Sequence, residues 1–393
     1  MRIVHINGFL YGSTGELIKN LVSFSGSEKI ENFIFAPNTK TNRRYIKGFK
    51  NLFLFGNFLE RNFHIFVSRI IGSYSFLSFF STLRVISKIK RINPQIIHIH
   101  TIHSGFINLW LIVRYVNKFN IKVFWTFHDL WPITGKCTHY SYVKCEKWKT
   151  NCNKCPLISD YPKSFFDITK TLFRVKKRII KSIKNLTVIV ASNWMSNQVK
   201  MSFLSRSKIV IVPNGVDQDI FNFNEEPKIK DQIISISSSW SLKKGYELLK
   251  EFVRKLPLNY NLLIIGLNSN QIEFFKDYKN TTPLGKVEDK FKLSKLIQSS
   301  SALINFSAEE SFGLTTYESL SCGTPVIVSN RTALVENIDE SNGIIANYTI
   351  DSFINAVNTI KIRSYDYNKI FQNSKKFSIN NMILSYFNLY TNS

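Results

Sequence analysis

Short runs of β-branched and aromatic residues recur along the first half of the chain. Between them lie stretches in which apolar residues return every three or four positions. The runs at 2–6, 33–36, 96–100, 122–127, 186–191 and 209–212 read as strands, and the stretches at 15–23, 79–91 and 173–184 as helices. This alternation predicts an α/β fold with a parallel sheet wrapped by helices. Pro213-Asn-Gly-Val-Asp217 then breaks the pattern with a cluster of turn residues. It restarts with strands at 232–237, 262–265, 302–306, 324–328 and 343–346. The domain boundary is therefore placed near Asn214, giving two doubly wound, Rossmann-like domains over 1–213 and 214–375. Two such domains facing a cleft would take ligands at the C-terminal ends of their strands.

Composition narrows the class of partner. Hydrophobic residues make up 44% of the 393, enough for two sizeable cores and too many for wholesale disorder. The formal net charge of +25 points to an acidic partner, whether nucleic acid, anionic lipid or phosphorylated substrate. The 33 Phe residues among these bases favour a membrane surface or lipid-linked substrate, and no nucleic-acid module is recognisable. A lysine-, asparagine- and isoleucine-rich proteome would give the same excess. The first strand is read directly after Met1, and no secretory leader is expected. The best apolar run, 70–83, is fourteen residues with four Ser and a Gly, against the roughly 20 that a span needs. The expected location is cytoplasmic, with peripheral attachment to the inner membrane face.

Six stretches could carry chemistry. Gly8-Phe-Leu-Tyr-Gly-Ser-Thr-Gly15-Glu16 follows the first strand, and Ser13 with Glu16 has the spacing of a capping box. It is either a ligand loop or a plain strand-to-helix turn. His128 and Asp129 fall at the end of the 122–127 strand, where an α/β cleft opens, and a structural histidine is the competing reading. His98 and His100 alternate to one face, either as a metal pair or as packing in a cleft wall. Trp240-Ser-Leu-Lys243-Lys244-Gly245 puts two cations at a strand-to-helix turn, placed to neutralise a diphosphate. Cys137, Cys145, Cys152 and Cys155 crowd into nineteen residues, a pattern better explained by thiolate–metal binding, with a structural zinc as the commonest occupant, than by cytoplasmic disulfides; an iron–sulfur cluster or unmetallated thiols are the other readings. The stretch 43–91 mixes bases with apolar runs and could seat on an anionic membrane or simply pack on a core.

The richest string is Glu310-Ser-Phe-Gly-Leu-Thr-Thr-Tyr-Glu318, running into Cys322-Gly-Thr-Pro-Val-Ile327. Two carboxylates eight residues apart flank a loop that becomes a helix at Gly313, whose first amides would face an anion. This string resembles the E-x7-E motif of retaining glycosyltransferases of family 4. His128-Asp-x-Trp-Pro-x-Thr-Gly-x-Cys137 and the cysteines after it resemble a bacterial surface-polysaccharide subgroup of that family. The resemblance implies the GT-B fold, with the helix in 376–393 packing back on the N-terminal domain. It implies an acceptor bound by the first domain and a nucleotide-diphospho-sugar bound by the second, with no catalytic metal. Glu318 would hold the ribose, and Glu310 the transferred sugar. Lys244, with the amides of Ser311, Phe312, Gly313 and Leu314, would stabilise the diphosphate. His128 would contact the sugar near its anomeric carbon, and Gly12 and Gly15 would border the donor phosphates or the acceptor. Ser239 stands where the family pattern has an arginine, leaving Lys243 as the second base. The implied activity is transfer of a hexosyl group to a saccharide or lipid-linked acceptor in surface-polysaccharide synthesis. A sugar-nucleotide epimerase or phosphorylase of the same fold is the alternative, with a basic nucleic-acid binder behind it.

Overall fold

The computed structural model describes residues 1–23, 30–225 and 227–392. It divides into two compact units: Met1–Val212 together with the chain from Ile383 onward, and Pro213–Met382. The first holds β1 (Arg2–Ile6), β2 (Glu31–Pro37), β3 (Leu52–Phe55), β4 (Ile96–Ile99), β5 (Lys122–Phe127), β6 (Leu186–Val190) and β7 (Lys208–Ile211). Their order is β3-β2-β1-β4-β5-β6-β7, with every pair parallel. Its helices are α1 (Gly12–Ser23), α2 (Lys40–Arg43), α3 (Phe58–Ile71), α4 (Phe79–Ile92), α5 (Leu109–Lys118), α6 (Thr169–Lys181) and α7 (Asn193–Lys200).

The second unit holds β8 (Gln232–Ile236), β9 (Asn261–Ile265), β10 (Thr281–Leu284), β11 (Ala302–Asn305), β12 (Val326–Ser329) and β13 (Gly343–Ala346). They are again all parallel, in the order β10-β9-β8-β11-β12-β13. Around them lie α8 (Tyr246–Lys255), α9 (Ser269–Phe275), α10 (Lys290–Ser299), α11 (Leu314–Ser321), α12 (Ile350–Ile362) and α13 (Tyr367–Ser374). A last helix, α14 (Ile379–Thr391), begins in the second unit and belongs to the first from Ile383. Among the described residues no helix is long and apolar enough to cross a membrane.

The sheets close around apolar strands, as parallel sheets covered on both faces require. Ile3, Val4, Ile97, Ile99, Val123 and Trp125 are buried in the first, and Ile233, Ile234, Leu262, Ile264, Leu303 and Ile304 in the second. Two edge strands were not anticipated. β3 is half-buried along its whole length, so no alternation marks it, and Lys47 and Lys50 just before it suit a membrane seat as well as a core-packed stretch. β10 contains Pro283, which lacks an amide donor and is tolerated because the strand lies at an edge. Helix α1 starts at Gly12, so Ser13 sits inside its first turn rather than at its cap.

One face of the first sheet departs from the apolar rule. His5 pairs with His98 and His98 with Phe124 across β1, β4 and β5, and His100 and Thr126 follow on the same face. The buried Tyr386 and Tyr390 of α14 cover it. The Tyr390 hydroxyl meets His98 Nδ1 at 2.6 Å, and the Tyr386 hydroxyl meets Thr126 Oγ1 at 3.0 Å.

Candidate active site

In the second sheet the strand order reverses between β8 and β11, so the loops leaving these strands part and open a crevice. After β8 the chain makes a 3₁₀ turn, Leu242–Lys244, ended by Gly245 at φ +77°. A Cβ on Gly245 would lie 2.1 Å from the Phe306 carbonyl oxygen, so glycine lets the turn sit on the end of β11. The Lys243 carbonyl accepts from the amides of Ala308 (2.9 Å) and Glu309 (3.3 Å), tying the two loops together. Lys244 Nζ then meets Glu310 Oε1 at 2.5 Å, and the Ser307 hydroxyl donates to the same oxygen at 2.9 Å. The Glu310 amide donates to Thr332 Oγ1 at 3.0 Å.

Helices α8 and α11 start at Gly245 and Gly313, both with positive φ, and no side chain caps either one. Helices α9, α10 and α13 are instead closed by the side chains of Asn268, Asp289 and Asp366. Uncapped first-turn amides carry partial positive charge and suit an anion. Ser311 and Leu314 are half-buried beside this corner. Phe312 turns inward and stacks on Tyr317 at 4.2 Å, so it can offer only its backbone. Glu318 is half-buried in α11, and burial pushes its carboxyl up to about 7 against the pull of Lys290. Ser307 and Thr332 escaped the sequence reading. Each is a small hydroxyl residue with no motif spacing, Ser307 in a loop and Thr332 at the start of a 3₁₀ turn, and the one usable signal was that Ser307 lies at a strand end three residues before Glu310.

The first sheet reverses order between β1 and β4, and there the Gly8 amide donates to the Thr101 carbonyl at 2.7 Å. Gly12 is exposed at φ +68°, with no atom within 4 Å of where a Cβ would stand. Gly15 is a packing residue, since its Cβ would lie 2.3 Å from the Leu10 carbonyl carbon. His128 and Asp129 follow β5 and line a pocket with His100, Thr101, His103 and Trp131. Asp129 pairs with His103 at 2.8 Å. Burial raises the Asp129 carboxyl, but facing His103, with further help from His139 and the Trp131 amide, holds it at about 2. Burial keeps His128 down at about 4.

His128 also ends a chain of imidazoles. Its Nε2 meets His100 Nδ1 at 3.2 Å, His100 Nε2 meets His5 Nδ1 at 3.3 Å, and His5 Nε2 meets Asn32 Oδ1 at 3.1 Å. Burial lowers all three histidines, so they are neutral at pH 7. A carboxamide oxygen only accepts, so His5 must carry its proton on Nε2. That choice propagates: His100 and His128 are also protonated on Nε2, and His128 keeps a lone pair on Nδ1.

The four cysteines line a second pocket with Lys136, Lys147 and Trp148. Their sulfurs do not close on one point. Among the described residues, the metal-competent side chains within 4.8 Å of one another are His5, His98 and His100. The ring nitrogens of that trio are already engaged by each other, Asn32, Thr126, Tyr390 and His128. The expected structural zinc therefore gains no support from this geometry. The loop is braced by Lys136, which is buried and donates to the carbonyls of Leu157 (3.0 Å), Ile158 (2.9 Å) and Asp160 (3.0 Å). Cys137 hydrogen-bonds Cys155, which pushes the Cys137 thiol up and holds Cys155 near 7.

Two doubly wound units, each open at the point where its strand order reverses, with a cation–carboxylate pair and uncapped helix starts in one, make up the GT-B architecture. The chain belongs to Glycosyltransferase Family 4, whose model matches residues 16–220, and residues 217–377 match the Glycosyl transferases group 1 model. It is 26% identical over 270 residues to a protein of Escherichia coli K12 named as a colanic acid biosynthesis glycosyl transferase, covering 64% of this chain and 63% of that one. It is 23% identical over 258 residues to the O-antigen chain mannosyltransferase RfbU of Salmonella typhimurium, covering 62% of this chain and 64% of that one. The chain thus spans just under two thirds of the length of these two relatives. Among solved structures, Anabaena HepE in complex with UDP and glucose superposes with a TM-score of 0.68 at 12% identity, covering 100% of both chains.

Three outcomes are expected. Replacing Lys136 by Met leaves three buried carbonyls without a donor and should lower unfolding stability by about 2–4 kcal/mol in urea titration; a change below about 0.5 kcal/mol would remove Lys136 as the brace. In ¹⁵N-edited NMR, His128 should carry its proton on Nε2 and stay neutral until the pH falls towards 4. Asn32→Asp should move the His5 titration upward, because a carboxylate stabilises the imidazolium.

Proposed function

We propose that the protein is a retaining glycosyltransferase that moves a hexosyl group from a nucleotide-diphospho-sugar to a saccharide or lipid-linked acceptor in surface-polysaccharide synthesis. The observation that carries this reading is the Lys244–Glu310 pair beside the uncapped starts of α8 and α11. A diphosphate leaving group needs positive charge that is already in place when its own charge develops. Lys244, oriented by Glu310, and the amides after Glu310 supply it. The free carboxylate oxygen of Glu310 accepts from hydroxyls of the transferred sugar, and Glu318 accepts from the ribose. Lys243 adds a second cation where the family pattern has an arginine.

In the step itself, the acceptor oxygen bonds to the anomeric carbon on the face from which the diphosphate departs. The electron pair of the breaking C–O bond goes to the diphosphate, and the acceptor proton passes to a phosphate oxygen. No residue is needed as a base on the opposite face. The first unit is assigned to the acceptor, and there His128 offers its Nδ1 lone pair to a sugar hydroxyl. The relatives named for colanic acid and O-antigen synthesis support a polysaccharide acceptor. A lipid-linked acceptor would bring the protein to the inner face of a membrane.

A thermal-shift screen against UDP-, GDP- and ADP-sugars tests the donor site, because a ligand of the folded state raises the melting temperature. Product analysis by NMR tests retention: the new linkage should have the anomeric configuration of the donor, and an inverted product would refute the front-face step. Glu310→Ala and Lys244→Ala should each lower kcat/KM at least about 100-fold while the melting temperature holds. Wild-type rates in either variant would sink the assignment.

Nucleotide affinity should also depend on pH through Glu318. Its carboxyl is raised to about 7 in the free protein, and ribose hydroxyls donate to the charged form. Binding should therefore strengthen as pH rises to about 7 and weaken by about tenfold per unit below it. Glu318→Gln should flatten that slope in calorimetric titrations.

A further inference from the structure

Helix α3 has its polarity reversed. Its inward positions are His64 and Ser68, both fully buried, with His64 Nδ1 on Ser78 Oγ at 2.5 Å. Its outward positions are Phe58, Leu59, Phe63 and Phe66, exposed between 63% and 73%. A helix on a water-facing surface normally shows the opposite arrangement. Both ends of this face are extended by further aromatics. The Glu60 carboxylate accepts from the amides of Phe80 (2.8 Å) and Ser81 (2.9 Å), which sets the first turn of α4 against that of α3 and places the 70%-exposed Phe80 there. At the other end, the Ile70 carbonyl accepts from the Phe166 amide (2.8 Å) and the Arg69 carbonyl from the Phe165 amide (2.9 Å). Phe165 is 78% exposed. An exposed aromatic cluster of this kind marks a binding surface.

Charge identifies the occupant. Residues 40–91 carry eleven Lys and Arg and one acid, Glu60, whose carboxylate is consumed at the start of α4. Arg69 lies on the outward face of α3, and Lys163 stands two residues before Phe165, both exposed. A second copy laid on this face would set these bases against their own kind. An anionic headgroup layer over an apolar interior satisfies both components.

We propose that the outward face of α3, extended by Phe80, Phe165 and Phe166, docks on an anionic lipid bilayer. The face belongs to the first unit and Glu310 and Lys244 to the second, and the assignment does not depend on the transferase reading.

The test is flotation of the full chain with phosphatidylcholine vesicles, with and without phosphatidylglycerol. The wild type should float with the anionic vesicles and be released by salt. Phe63→Ser combined with Phe66→Ser should lower the bound fraction at least about tenfold. Phe58→Ser with Leu59→Ser provides an independent second variant. Arg69→Glu with Lys163→Glu should abolish the preference for phosphatidylglycerol. Leu258→Ser, an exposed apolar position in the second unit, should change nothing. Melting temperatures matching the wild type establish that the variants fold. Wild-type flotation of both serine variants would overturn the proposal. So would a solution dimer that dissociates in Phe63→Ser/Phe66→Ser, which would assign the face to a second copy.

Discussion

Backbone amides and carbonyls at the end of a parallel strand need partners, and where the strand order reverses the next loop turns away and cannot provide them. Both units solve this in the same way, by backbone hydrogen bonds across the gap. In the second, the Lys243 carbonyl takes the amides of Ala308 and Glu309; in the first, the Gly8 amide reaches the Thr101 carbonyl. The side chains next to those bonds inherit their placement. Lys244 meets Glu310 because its neighbour's carbonyl is already tied down, and Gly245 allows the close approach that makes the tie. The chemistry of the site thus rests on a backbone requirement that would exist without any ligand.

The same requirement recurs wherever this chain buries polar groups. Three carbonyls of the cysteine loop converge on Lys136. Lys176, also fully buried, donates to the Trp131 carbonyl at 2.7 Å and lies 3.5 Å from its ring, with burial pulling the ammonium down to about 7. A single ammonium has three donors and can satisfy an irregular loop that lacks a ladder of its own. Without that brace the loop's carbonyls would each carry an unmet desolvation cost.

Much of this was legible in the sequence because it follows from period and punctuation. The alternation of β-rich and helical runs marked eleven strands, and Pro213 to Asp217 marked where the pattern restarts. Glu310, Lys244 and Gly313 were legible because a motif fixes their spacing at a loop–helix junction. The edge strands β3 and β10 were not, since a half-buried strand lacks clear alternation and Pro283 argues locally against one. Partners such as Ser307, Thr332 and Asn32 were invisible because they act through long-range geometry: Asn32 reaches His128 only through two intervening rings. The cysteine cluster was read from spacing alone. Spacing cannot report that a lysine one residue before Cys137 would be the brace.

The covering of the histidine face by α14 has a consequence for synthesis. The second unit is continuous in the chain, but the first is interrupted by it: about 170 residues separate Val212 from Ile383. At the usual rate of roughly 5–20 residues per second, the ribosome takes about 10–35 s to make them. During that interval His5, His98, His100 and Thr126 lack Tyr386 and Tyr390, and a polar sheet face stands open to water. The nascent first unit therefore waits, incompletely closed, for its final segment. Its histidines are better suited to that wait than an apolar face would be, because a polar surface left open does not invite aggregation.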